Sequence, residues 1–280
     1  MQPCLNPATL RQGIRLDTFI DAASGAGFVA VELRAPWLQE FAAAHGQAAL
    51  TRRLASAGLA VANVGYGVPL RATAAEFEQA LSAVPGVCEL MAGVGAPGGS
   101  VTLPMRQGDG FTVTREETIE RLGRLGRLAA DHGRAVYIEF LGLHFPDDFT
   151  WTKTLGDTLD MMDAIGLPNV GPLIDAYHWH LGGSRIEDLA RLHPGAPMLL
   201  HINDAPTGDV QTLTDAMRLL PGEGIMDLPA WLEAIHAATG YDGPVSLELF
   251  NDDLRALEPA DAAQRSYRAL ATVLGGSNEQ

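Results

Sequence analysis

Val136-Tyr137-Ile138-Glu139-Phe140, Gly171-Pro172-Leu173-Ile174-Asp175, Met198-Leu199-Leu200-His201-Ile202 and Val245-Ser246-Leu247-Glu248-Leu249 are the four stretches whose reading decides the fold. Each is a short apolar run that meets a metal-ligand type of residue at or near its C-terminal end. Strands buried on both faces of a parallel sheet read as nearly continuous apolar runs, so a charged residue at that point is an exception that needs a cause. An isolated ionised carboxylate in a barrel interior is costly unless positive charge offsets it. Any one acid at a strand end more often caps a helix or joins an ion pair. Four successive strands ending this way point instead to side chains that converge.

Working outward, the same type of run recurs along the chain. Strands are predicted near Cys4–Ala8, Phe28–Leu33, Ala60–Val64, Ser100–Pro104, Ala135–Phe140, Val170–Asp175, Met198–Asn203 and Pro244–Phe250. Between them the apolar period lengthens to that of a helix, as at Ile119, Leu122, Leu125 and Ala129, or Leu228, Trp231, Leu232 and Ile235. Gly27, Gly58, Gly133 and Gly166 stand where such helices would end before the next strand. Strand–helix alternation of this kind predicts an α/β protein, a (β/α)8 TIM barrel, with the site at the C-terminal ends of the strands. An open doubly wound sheet would alternate similarly, but no Gly-x-Gly-x-x-Gly follows the first strand. The cluster Gly93-Val94-Gly95-Ala96-Pro97-Gly98-Gly99 has the wrong spacing for it and reads as an irregular loop entering strand four. The longest connection, Asp204 to Asp227, falls where a barrel elaborates loops over its site.

Composition agrees. The 280 residues are 47% hydrophobic, and no linker-like shift divides them, so residues 1–280 are expected to form a single barrel domain. A net charge of −15 disfavours phosphate backbones and anionic lipid, so neither nucleic acid nor membrane is an expected partner. Cys4 and Cys88 are too far apart in sequence to suggest a redox or metal motif. The N-terminal sequence lacks a signal-peptide pattern, which makes the cytoplasm the expected location.

Glu139, Asp175, His201 and Glu248 are thus the candidate ligands of one divalent metal. Three oxygens and one nitrogen suit Mn2+ first, with Mg2+, Co2+ or Zn2+ as alternatives, and leave positions open for a small sugar or cyclic polyol. His178, in Asp175-Ala176-Tyr177-His178-Trp179-His180, and Arg218, before the turn Pro221-Gly222-Glu223-Gly224, are candidate substrate contacts or loop-pinning groups. Glu32 is a candidate for pairing with a charged barrel neighbour or for touching substrate. Asn6 and Trp37 are candidate pocket walls.

These motifs, with Cys4-Leu5-Asn6-Pro7-Ala8-Thr9, Val31-Glu32-Leu33-Arg34 and His201-Ile202-Asn203-Asp204, resemble the xylose isomerase-like barrels of sugar isomerases and epimerases from end to end. Within that family the likeness is to the inosose (2-keto-myo-inositol) isomerases of inositol catabolism. The resemblance implies that the four residues bind one metal and that Glu139 and Glu248 flank the substrate carbon as acid and base. It implies that His178 and Arg218 contact substrate oxygens, and it leaves a homo-oligomer open. The related abasic-site endonucleases use further histidines on the middle strands, where this chain reads Ala62-Asn63-Val64-Gly65 and Val101-Thr102-Leu103-Pro104. Ketose 3-epimerases carry a second Glu past strand five, where this chain reads Leu141-Gly142-Leu143-His144. The implied reaction is isomerisation through an enediolate. The alternatives are an inosose or 3-dehydroshikimate type of dehydratase, a ketose 3-epimerase and a non-catalytic metal-anchored sugar binder. The segment Leu143–Trp151 is expected at the substrate rim.

Overall fold

The computed structural model describes residues 1–103, 113–144, 152–193 and 195–275. Pro104 and the 145–151 part of the expected substrate rim therefore lie outside the described residues. The strands are β1 (Gln2–Leu5), β2 (Ala30–Arg34), β3 (Ala60–Gly65), β4 (Gly98–Thr102), β5 (Ala135–Glu139), β6 (Val170–Asp175), β7 (Leu199–Ile202) and β8 (Pro244–Leu247). Helices α1 (Leu16–Ala26), α2 (Ala35–His45), α3 (Gln47–Ser56), α4 (Ala74–Gly93) and α5 (Arg115–Asp131) connect the first five strands. They are followed by α6 (Leu155–Ile165), α7 (Ala176–Gly182), α8 (Leu228–Thr239), α9 (Asp252–Arg255) and α10 (Pro259–Val273).

Local sequence sets the helix starts. Thr73 with Glu76, Thr114 with Glu117 and Thr154 with Asp157 form reciprocal capping boxes at α4, α5 and α6, which satisfy amide groups that a helix cannot pair internally. Gly27 and Gly166 end α1 and α6 in the left-handed conformation. The strands pair in parallel in the order β3-β2-β1-β8-β7-β6-β5-β4. The ring nearly closes between β3 and β4, where the Tyr66 amide donates to the Ser100 carbonyl at 3.1 Å. The result is a (β/α)8 barrel with each predicted strand present.

Apolar side chains divide into an outer layer between strands and helices and an inner group of Cys4, Ala30, Ala62, Ala135, Tyr137, Leu173 and Leu199. Side chains two residues apart on a strand share a face. Cys4, Ala30, Tyr137, Leu173 and Leu199 stand two residues before Asn6, Glu32, Glu139, Asp175 and His201, so they floor the barrel directly beneath those polar groups.

The expected loop at 93–99 needs correction. Gly93 ends α4, Gly95 turns with φ +72°, and Gly98 and Gly99 already belong to β4. A Cβ at Gly98 would stand 2.5 Å from the Ala135 carbonyl oxygen, and one at Gly99 would stand 2.3 Å from that of Val64 and 2.7 Å from the Tyr66 ring. These glycines allow backbones to approach where β4 joins the ring. Gly99→Ala is expected to lower stability by about 1–3 kcal/mol, read as a lower urea midpoint with an unchanged slope.

Candidate metal centre

Asp175 closes β6 opposite His201 on β7, and His201 in turn pairs with Ser246 on β8. The Glu248 amide continues that ladder by donating to the Ile202 carbonyl at 3.2 Å. Glu139 closes β5 opposite Thr102. Parallel register thus carries Glu139, Asp175, His201 and Glu248 to one end of the barrel, where a ligand atom from each lies within 4.8 Å of the others. All four residues are buried.

Each candidate ligand is held by a different set of neighbours. Asp175 caps α7 with Oδ1, which accepts from the Tyr177 and His178 amides at 2.7 and 3.1 Å. Its Oδ2 accepts from Asn203 Nδ2 at 3.1 Å and Arg218 Nη1 at 2.9 Å. The Thr102 hydroxyl donates to Glu139 Oε2 at 2.9 Å. Glu248 Oε2 accepts from Arg218 Nη1 at 3.0 Å.

His201 faces two ways. Its Nε2 lies 2.9 Å from Glu32 Oε1, while Nδ1 faces oxygens of Glu248, Glu139 and Asp175 at 3.3, 3.5 and 3.8 Å. Neither Nδ1 nor Nε2 makes a well-directed hydrogen bond among the described residues. A buried lone pair aimed at three carboxylates fits a divalent cation, with Glu32 close to the far side of the ring. Without a cation these acids draw a proton onto the ring. Burial opposes its charged form, but Glu32, Glu248 and Glu139 hold the His201 pKa well above its usual value. Burial also opposes the charge on Glu248, yet His201 and Arg218 bring its pKa down to about 2.

Glu32, expected to meet a charged neighbour or substrate, is enclosed. Besides facing His201 it accepts from Asn6 Nδ2 at 3.0 Å, from Asn63 Nδ2 at 2.5 Å and from the Ser246 hydroxyl. Asn6 is therefore turned onto Glu32, and its Oδ1 accepts from the Ala8 amide at 2.8 Å. Arg218, expected on substrate oxygens, is only 1% exposed and directs its five N–H groups into the protein. Nη1 serves Asp175 and Glu248, Nη2 serves His178 Nε2 at 2.9 Å and Asp215 Oδ1 at 2.7 Å, and Nε donates to Asp215 at 3.0 Å. Direct contact with substrate would require one of these bonds to open. The rings of Tyr177 and Phe250 flank the guanidinium at 5.3 and 5.0 Å. His178 is buried beside Arg218, and its Nδ1 has no partner among the described residues. Trp37 stands apart, half-buried and stacked near Phe19 with centroids 5.3 Å apart, on the wall of a cavity of about 500 Å³.

Sequence reasoning missed Asn63, Thr102, Asn203 and Ser246, which support the ligands. Asn63 and Ser246 interrupt apolar strands just as the ligands do, so the same rule would have found them. Asp204 and Asp215 lie in an irregular connection that gives no such signal. Asp204 is fully buried and accepts from the Ala205, Gly222, Gly224 and Met226 amides, which folds the long connection back on itself and brings Arg218 inward.

The sequence profile of the xylose isomerase-like TIM barrel family matches residues 20–273. The chain belongs to that family. Among curated relatives, the inosose isomerase of Halalkalibacterium halodurans is 30% identical over 160 residues, 57% of this chain and 55% of that protein. The 3-dehydroshikimate dehydratase of Pseudomonas putida is 38% identical over 109 residues, 37% of this chain and 16% of that protein. The chain spans about half the length of the inosose isomerases it matches. A xylose isomerase domain protein from Alicyclobacillus acidocaldarius superposes with a TM-score of 0.86 at 29% identity, covering 98% of each chain. The IolI protein with a bound zinc atom superposes at 0.84 over 100% of both chains, with 23% identity, a likeness of fold. Within this family barrel, Glu32→Gln is expected to weaken Mn2+ binding by about 10- to 100-fold, measured as free Mn2+ by electron paramagnetic resonance.

Proposed function

We propose that the protein is a divalent-metal-dependent isomerase of a small ketose or cyclic keto-polyol, of the inosose isomerase type, with Mn2+ as its metal. The observation that carries this reading is the convergence of Glu139, Asp175, His201 and Glu248 on one point at the barrel mouth. The partial likeness to inosose isomerases supports it. A bound divalent cation would supply Lewis-acid stabilisation of negative charge that develops on the substrate oxygens.

The chain's own groups divide the remaining work. Asp175 has no exposure and its oxygens are engaged by α7, Asn203 and Arg218, so it anchors. Glu139 and Glu248 keep 8% and 9% exposure, and they are the carboxylates placed to take a proton from one carbon and return it to the next. Arg218 fixes Glu248 against Asp175 and sets the pose of His178, whose Nε2 accepts from it. That bond leaves the proton of a neutral His178 on Nδ1, as a donor for a substrate oxygen. The acidic charge balance favours a free small molecule over nucleic acid or membrane as the partner. No helix among the described residues is long and apolar enough to cross a membrane.

A dehydratase on the same scaffold is the second reading, favoured by the local likeness to 3-dehydroshikimate dehydratases. It would share proton removal next to a carbonyl but expel a hydroxyl, so product mass separates the two. With inosose and Mn2+ in D2O, NMR is expected to show exchange of the α-proton and a positional isomer of unchanged mass, deuterium apart. Glu139→Gln and Glu248→Gln are each expected to slow that exchange by about 10²-fold or more. A Glu248→Gln protein with full exchange would contradict the assigned role.

A further inference from the structure

Arg34 has no assigned use in the metal centre. It ends β2 two residues after Glu32, in extended conformation at φ −108° and ψ 136°. Alternation along a strand then places its side chain on the inner face, one layer above Glu32, at the mouth. Its guanidinium lies 5.3 Å from the centroid of the Trp37 ring. Both residues line a cavity of about 500 Å³ between the segment that follows β1 and helix α2, which none of the four candidate metal ligands lines. No carboxylate among the described residues approaches Arg34 within ion-pair distance, although the chain carries 34 acids against 19 bases. Burial disfavours its charged form, and Glu248 is the carboxylate whose field reaches it.

A solvent-accessible guanidinium laid beside an aromatic ring and left without an anion is a prepared seat for one. We infer that Arg34 anchors a carboxylate of the substrate, so that an acidic keto-polyol binds in preference to a neutral one such as inosose. This substrate class rests on the reading of the site as a keto-polyol isomerase. A single planar fork matches a carboxylate bidentately. A phosphate dianion is a poorer match, because Asp17 and Glu40 offset Arg15 and Arg34 in the lining of the same cavity and leave no surplus of positive charge for it. Lys153 is the sole lysine of the chain, and it does not line this cavity.

The test uses Mn2+-loaded protein and isothermal titration calorimetry with two cyclic polyols of similar size, quinate, which bears a carboxylate, and myo-inositol, which does not. Quinate is expected to bind at least about tenfold more tightly. Arg34→Met is expected to abolish that preference while changing myo-inositol binding by less than about twofold, and Arg34→Lys to restore part of it. Unchanged circular dichroism and Mn2+ stoichiometry show that the variants fold. A wild-type protein without preference, including one that binds neither compound, overturns the proposal, as does an Arg34→Met protein that weakens both equally. Failed α-proton exchange with the quinate preference intact removes only the isomerase reading. Intact exchange without the preference removes only the carboxylate anchor.

Discussion

Like charges held close together in a water-poor space repel, and among the described residues the mouth of this barrel holds four buried carboxylates, Glu32, Glu139, Asp175 and Glu248. Arg218 reaches two of them, and the proton drawn onto His201 answers the others in part. That arrangement still leaves negative charge in excess, which is what makes a divalent cation the natural occupant. Much of the surrounding architecture holds these groups in place. Asn6, Asn63 and Ser246 pin Glu32, and Glu32 faces the imidazole from the side away from the other acids. Thr102 steadies Glu139, while Asn203 and two α7 amides steady Asp175.

The two roles open to a strand-end acid coexist in Asp175. One oxygen caps α7, and the other faces the site. The cap fixes the carboxylate's rotation, so the helix start and the ligand geometry are set by one side chain. The same economy appears at Arg218, whose fork ties the loop residue Asp215 to Asp175, Glu248 and His178. Asp204 makes that placement possible by gathering four amides of the connection around its carboxylate. Loop and candidate metal site are therefore coupled through charge, and the loss of the Arg218 cation would expose the remaining acids to one another.

The barrel and the convergence of Glu139, Asp175, His201 and Glu248 were legible because two strong rules coincide there: buried parallel strands are apolar, and charges break that pattern only for a reason. Glycines 98 and 99 were misread as loop because their signal, a close approach of neighbouring backbones, depends on contacts that sequence does not display. Arg218 was recognised as a site residue, but its partners were not. They come from β6, from the end of β8 and from its own loop, and only the folded chain brings them together. Arg34 went unweighed because an arginine at a strand end usually reads as solvated surface, and the absence of an acid partner is a three-dimensional fact.

Anomalous scattering from crystals grown with Mn2+ tests the central claim most directly. The account predicts one peak about 2.0–2.3 Å from Glu139, Asp175, Glu248 and the Nδ1 atom of His201, with Arg218 still against Asp175. A map with no ion there, and Arg218 alone bridging the acids, would contradict it.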